Sequence, residues 1–191
     1  LMNKQISSKK DATKNKMIDA ASRSFREFGF EGIGVDGIAK AAGVTSGAFY
    51  AHLGSKSAAF NIAVIAGLDE VIEAIPRFRN IHGPDWIKAF AEHYLGKPHR
   101  DDLACGCAMA TLTPEVVRGE DEIHDVYEAK MTQIVFLIAD GLEGGNAKER
   151  SSRAWAFLSI LIGGLNMARA VRTNNASEEI AKAAIEVAGS L

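Results

Sequence analysis

The chain has 191 residues, 47% of them hydrophobic and 24% charged, the composition of a globular protein with a core to bury, which excludes disordered, collagen-like and low-complexity chains. Two cysteines are too few for a disulfide-stapled secreted scaffold. The net charge of −2 conceals an asymmetry: residues 1–60 hold nine Lys and Arg against five Asp and Glu, leaving thirteen against nineteen for the remainder. A basic head on an acidic body suits a protein that meets a polyanion at one end, and equally a protein with a solvated basic tail.

Residues 1–13 are polar and basic, without the apolar run of a signal peptide, so a reduced, cytoplasmic setting is expected. From 11 to 28, Met17, Ile18, Ala21, Phe25 and Phe28 recur at steps of three and four, which predicts a helix closed by Gly29. Val35, Ile38, Ala39 and Ala42 predict a short second helix ending at Gly43. A third spans 47–53, entered through Thr45 and Ser46 as candidate caps. A fourth runs from 55 to about 75, where Pro76 should stop it. Further helices are expected over 85–95, 104–118, 121–143, 149–173 and 177–189, with Gly144 and Gly145 turning the chain between two long ones. Nothing alternates as a strand would, and there is no internal repeat.

The apolar stretch 154–171 has about the minimum length of a membrane span, but Ser159, Asn166, Arg169 and the Gly163-Gly164 pair argue against one. It reads instead as a helix buried on several sides. Leu158, Leu161, Ile162 and Leu165 are candidates for a helix–helix dimer interface, with Gly163, Gly164 and Ala168 allowing close approach.

Two short helices around a Gly43-Val44-Thr45 turn, inside a basic segment, have the layout of a helix-turn-helix. Such a unit puts the N-terminal part of its second helix into the DNA major groove. The candidate DNA-binding residues are Thr45, Ser46, Gly47, Ala48, Tyr50, His52 and Lys56. Thr45 and Ser46 offer hydroxyls to bases or phosphates. Gly47 and Ala48 are small enough for close approach, and Tyr50 and His52 can reach phosphates or bases. Lys56 joins a cation to the free N–H groups of a helix start. Phe49 is expected to anchor the helix to its own core. An αα-hairpin without a DNA role has the same outline.

The text FGFEGIGVDGIAKAAGVTSGAFYAHLGSKSAAF over 28–60 resembles the N-terminal signature of the TetR family of bacterial transcriptional regulators. The shared pattern is aromatic-Gly, then Ile-Ala-x-x-Ala-Gly-Val, then Gly-x-Phe/Leu-Tyr, then Ser-Lys. Leu53, Ala59 and Gly37 depart from it, where the family usually has Phe, Leu and Asp. The fragment YLGKPHRDDLACGCAMATLTPEVVRGEDEI is similar to one branch of the family, in which Gly-Cys opens a helix of the ligand-binding domain. The resemblance implies an all-α subunit of nine or ten helices acting as a homodimer. A three-helix helix-turn-helix domain, 1–58, would join a helical-bundle ligand-binding and dimerisation domain, 59–191. Its partners would be a palindromic double-stranded DNA operator, a second copy and a small hydrophobic effector, with no membrane and no cofactor.

Phe78, Trp86, Phe90, Tyr94, Met109, Tyr127 and Met131 are candidate pocket residues; each on its own reads equally as core. His93 is expected to be satisfied or exposed rather than a ligand contact. Cys105-Gly-Cys107, with His99 and His124, raises the idea of a zinc site, but a lone CxC lacks the second paired motif, and a disulfide across one residue is strained. No phosphate loop, nucleophile–His–acid set or HExxH motif is present, so no enzyme is expected. Three classes follow: a ligand-responsive DNA-binding repressor, a thiol-based redox or electrophile sensor (or thiol/metal enzyme), and a helical interaction protein without DNA binding.

Overall fold

A computed structural model describes the backbone of residues 2–191 and the side chains of residues 11–191. Lys4, Lys9 and Lys10 of the basic head therefore lie, as side chains, outside the described residues. The described chain is all helix: α1 (Met2–Gly32), α2 (Val35–Ala42), α3 (Ser46–Leu53), α4 (Lys56–His82), a 3-10 turn (Gly83–Asp85), α5 (Trp86–Tyr94), α6 (Lys97–Asp101), α7 (Ala108–Val116), α8 (Asp121–Gly141), α9 (Ala147–Ala170) and α10 (Asn174–Gly189).

The head is α1, α2 and α3, closed by the start of α4. Met17, Ala21 and Phe25 of α1 meet Ile38 and Ala39 of α2, Phe49 and Leu53 of α3, and Phe60 of α4 in one buried cluster. The regular α1 helix breaks at Gly29, whose φ of 73° and ψ of 175° are non-helical and suit glycine alone. That break overturns one expectation. Phe28 is left exposed rather than completing the apolar face, and Phe30 turns inward instead. Phe30 meets Phe60 with ring centroids 5.3 Å apart, and Phe25 meets Phe60 edge-on at the same distance, a favoured aromatic geometry.

Behind the head, α4 packs on α1 and α8, α8 on α9, α9 on α10, and α10 on α5. The expected stop at Pro76 does not occur: α4 continues through it to His82. Proline removes one N–H, but Ile75 beside it is fully buried, and tertiary packing of that kind outweighs a local breaker. Gly83, at φ 54°, ends the helix instead. The helix expected over 104–118 is shorter, because 102–107 is non-helical and α7 starts at Ala108. The short α6 was not expected. α9 starts at Ala147 under a complete capping box, the Asn146 side chain accepting from Glu149 N while the Glu149 side chain accepts from Asn146 N.

Among the described residues no helix is long and apolar enough to cross a membrane. The domain boundary expected at 58/59 falls within the first turn of α4, so one continuous helix belongs to both parts.

Candidate nucleic-acid interface

α2 is an amphipathic two-turn helix whose buried side is Ile38 and Ala39. It ends at Gly43, left-handed at φ 69° and ψ 33°. There the Val44 N–H reaches back to the Ala39 carbonyl at 2.9 Å and the Gly43 N–H to the Lys40 carbonyl at 3.1 Å, the paired bonds that close a helix on glycine. A side chain at residue 43 would meet open space, so the glycine serves the backbone angle rather than a close contact.

α3 follows after the three residues 43–45. Thr45 is its N-cap, the Oγ1 accepting from the Ala48 N–H at 3.2 Å. Ser46 donates to Asp36 Oδ1 at 2.5 Å and thereby ties α3 to α2. Both hydroxyls expected to read DNA thus also hold α3 in place. Phe49 and Leu53 are buried, as an anchor for the helix requires. The outward side of α3 presents Thr45, Gly47, Tyr50 and Ala51 as exposed residues, with Ser46, Ala48 and His52 half-buried. Tyr50 is 54% exposed, its ring edge-on to Phe49. Space around Gly47 is open apart from the Thr45 hydroxyl. Ser55 caps α4, its Oγ accepting from Ala58 N at 3.0 Å. Lys56 is therefore the first residue of that helix, with its Nζ 4.4 Å from the centre of the Phe30 ring, a cation–π contact.

The body gathers some of the expected pocket residues and separates others. Phe90 lies against Phe78 at 5.1 Å and against Tyr94 at 6.2 Å between ring centroids. Trp86 is turned away, donating its indole N–H to the Gly141 carbonyl. Met109 and Met131 are packed in the core. Tyr127 shares a 2.8 Å hydrogen bond with Thr113. In this conformation Trp86, Phe90, Tyr94, Met109 and Met131 are all buried by neighbouring side chains, so these candidates serve as core here. His93 is exposed.

Leu158, Leu161 and Leu165 are 1%, 0% and 0% exposed within the single subunit. As part of its own core they cannot meet a second copy, which corrects the expectation for these three. The opposite side of α9 is what solvent sees. It carries Ser152, Ser159 and half-buried Ala156, Ile162 and Gly163, flanked by exposed Trp155 and Met167.

The two thiols differ. Cys107 is buried and Cys105 exposed, both unpaired. Burial pushes the Cys107 thiol up from its ordinary pKa. Among the described residues no three His, Cys, Asp or Glu side chains form a metal-holding group. Three contacts escaped the sequence reading. Arg23 donates to Cys105 Sγ at 3.0 Å. Buried Arg26 pairs with Glu70 at 3.3 Å. Arg169 donates to the His99 carbonyl and to Thr111 Oγ1. The available signal was a glycine inside a long helix: at Gly67 a Cβ would lie 2.3 Å from Ala108 Cβ and 3.0 Å from Arg26 Nη2.

The sequence model described as "Bacterial regulatory proteins, tetR family" matches residues 17–61. No curated protein matches the chain. Among solved structures, a TetR-family transcriptional regulator from Agrobacterium tumefaciens is similar at 15% identity, covering 94% of this chain and 98% of that one, with a TM-score of 0.76. A TetR transcriptional regulator from Legionella pneumophila is similar at 16% identity, 91% and 95% coverage and a TM-score of 0.76. The reduced form of NemR from E. coli is similar at 16% identity, 91% and 95% coverage and a TM-score of 0.75. At these identities the structures establish a shared fold along the chain, while the match over α1 to α4 is one of sequence. The helix-turn-helix over residues 17–61 thus matches the TetR family of bacterial regulatory proteins in sequence, on a chain whose fold is shared with solved TetR-family regulators.

Proposed function

We propose that the protein is an effector-responsive transcriptional repressor that binds a palindromic operator as a homodimer in the cytoplasm, without catalysis or a cofactor. The observation that carries the reading is the geometry of α3: a capped helix held from behind by Phe49 and Leu53, with Tyr50 and Gly47 facing solvent. Tyr50, His52 and the first turn of α3 enter the major groove, where base edges are read. Thr45, Ser46, Gly47 and Ala48 line that first turn. Lys56 leaves the Phe30 ring for a phosphate, joined there by the free N–H groups at the start of α4.

The second copy docks on the outer side of α8 and α9. Ser152, Ala156, Ser159 and Gly163 fall on one stripe of α9 and let a partner helix come close. Trp155, Met167 and Phe136 of α8 are large exposed apolar groups beside it. Ile162 is the one residue of the four expected at the interface that remains open to this role. The effector acts through α4, which starts beside the DNA at Lys56 and reaches Phe78 in the body. Displacing it changes the spacing of the two heads, provided the effector prefers that displaced state.

Selection of binding sites from a pool of random-sequence duplexes tests the DNA reading. A palindromic consensus is expected, with half-sites a whole number of helical turns apart, about 34–36 Å for one turn. Lys56→Ala should weaken binding to every sequence and reduce the salt slope by about one. No enrichment, or a consensus without two-fold symmetry, would contradict the proposal.

A further inference from the structure

Between the head and the body lies a cavity of about 240 Å³. The head lines it with Phe30, Glu31 and Phe60, and the body with Glu115, Glu122 and Ile123. Phe60 and Ile123 are 5% and 4% exposed and belong to the packed core, and Phe30 rests half-buried against that core. The floor is therefore apolar and firmly held. The volume is just below the roughly 300 Å³ at which sites for drug-sized ligands begin, which suits a one-ring compound.

The walls are acidic. Glu31, Glu115, Glu120 and Glu122 line the cavity against a single base, Arg118, which already donates to the Pro114 carbonyl at 3.0 Å. Among the described residues none of the four carboxylates has an ion-pair partner. Glu120 and Glu122 are accounted for by the start of α8, whose free N–H groups they complement. Glu31 and Glu115 are not. Glu31 follows the Gly29 break in α1, and Glu115 lies in the last turn of α7, with no basic residue in the last turn of either helix. The carbonyl end of a helix disfavours an anion and favours a cation. Glu115 is also half-buried. Its Oε1 lies 2.9 Å from where a Cβ at residue 29 would sit, so glycine there lets the carboxylate rest on the α1 backbone. A carboxylate drawn partly out of water at the negative end of a helix calls for a positive partner.

We infer that this cavity binds a one-ring aromatic cation, with the ring on Phe30, Phe60 and Ile123 and the positive group against Glu115 and Glu31. The Phe30 ring already carries one cation, Lys56 Nζ at 4.4 Å from its centre, the attraction an aromatic floor offers a positive group. The binding stands on the cavity alone, while its role as effector rests on the effector-responsive reading above and gives that effector a chemistry and an address. Because the walls come from both head and body, a ligand wedged between them fixes the angle at which the head is held. α4 contributes Ser57, Phe60 and Asn61 to the wall, all within two turns of Lys56. Occupancy therefore acts on the start of the helix that carries the proposed phosphate contact.

The test is calorimetric titration of the full chain without DNA, using benzamidinium against benzamide at constant ionic strength and neutral pH. The two probes share a shape and differ in charge. Benzamidinium should bind at least about tenfold more tightly, the discrimination expected where a charge-assisted hydrogen bond is made. Glu31→Gln combined with Glu115→Gln keeps both side-chain shapes and should erase that preference while leaving benzamide unchanged. Ser57→Trp, at an exposed position of the wall, fills the cavity and should abolish binding of both probes, which separates this site from acidic surface elsewhere. Should either variant fail to fold, the other decides. Equal affinity for the two probes, no binding of benzamidinium, or undiminished benzamidinium binding in either variant would overturn the inference. A parallel titration on the selected duplex separates the two readings. Benzamidinium that binds and leaves DNA affinity unchanged contradicts the effector role and leaves the site standing, whereas a change in DNA affinity that persists in Ser57→Trp contradicts the site and leaves the effector role standing.

Discussion

Thr45 performs two tasks at once, and its variants should separate them. Thr45→Ala removes the N-cap of α3 and should cost about 1 kcal/mol in urea unfolding. Thr45→Asn keeps a capping oxygen and should unfold like the parent while its DNA sequence preference changes. His99 provides a second check at this scale. Burial lowers its pKa from the ordinary histidine value, only partly offset by its contact with the Tyr94 carbonyl. The unfolded chain therefore takes up this proton at higher pH than the folded one, so stability falls as pH drops through the ordinary histidine range. Unfolding midpoints measured from pH 7.5 down to 5.5 should decline for the parent protein and decline less for His99→Phe. An equal decline in both would remove His99 as the source.

The helices themselves were largely legible, because α2 with its closing Gly43 and α3 with its Thr45 cap show their buried face and their cap within a dozen residues. The first turn of α3 and its glycine-ended neighbour could be placed for the same reason. What the sequence hid is long-range. Nothing near Phe28 says that the break at Gly29 will expose it and send Phe30 inward. Nothing near Pro76 reveals the packing that carries α4 past it. Leu158, Leu161 and Leu165 announce a buried face, but whether a second copy or the same subunit buries it depends on α7, α8 and α10. The expected pocket shared this limit: an aromatic residue has the same periodicity in a core as in a cavity wall, so Met109 and Met131 could not be told apart from lining residues. Gly67 is the element-scale position where a prediction is sharpest. Ala there would place a Cβ 2.3 Å from Ala108 Cβ and force α4 from α7. Overpacking of that kind costs about 1–3 kcal/mol, against about 1 kcal/mol gained in helix propensity. Gly67→Val should destabilise further, and Ala108→Gly should restore much of the loss in Gly67→Ala, as read from denaturant midpoints.

At the scale of the molecule, two heads must be held at a fixed distance for a palindrome to be read. The outer stripe of α9 is the proposed clamp. Trp155→Glu with Met167→Glu places charge on that surface while leaving the subunit core untouched, since both side chains are exposed in the single subunit. Sedimentation should show monomer for the double variant with an unchanged helical circular-dichroism spectrum, and its DNA affinity should fall steeply. A variant that remains dimeric places the contact elsewhere. Hydroxyl-radical footprinting of the selected duplex tests paired helix-turn-helix reading most directly. Two protected segments are expected on one face of the DNA, symmetric about the palindrome centre and one or more whole turns apart, with both lost together in Tyr50→Ala. A single protected segment, or uniform protection that Tyr50→Ala leaves intact, would contradict it.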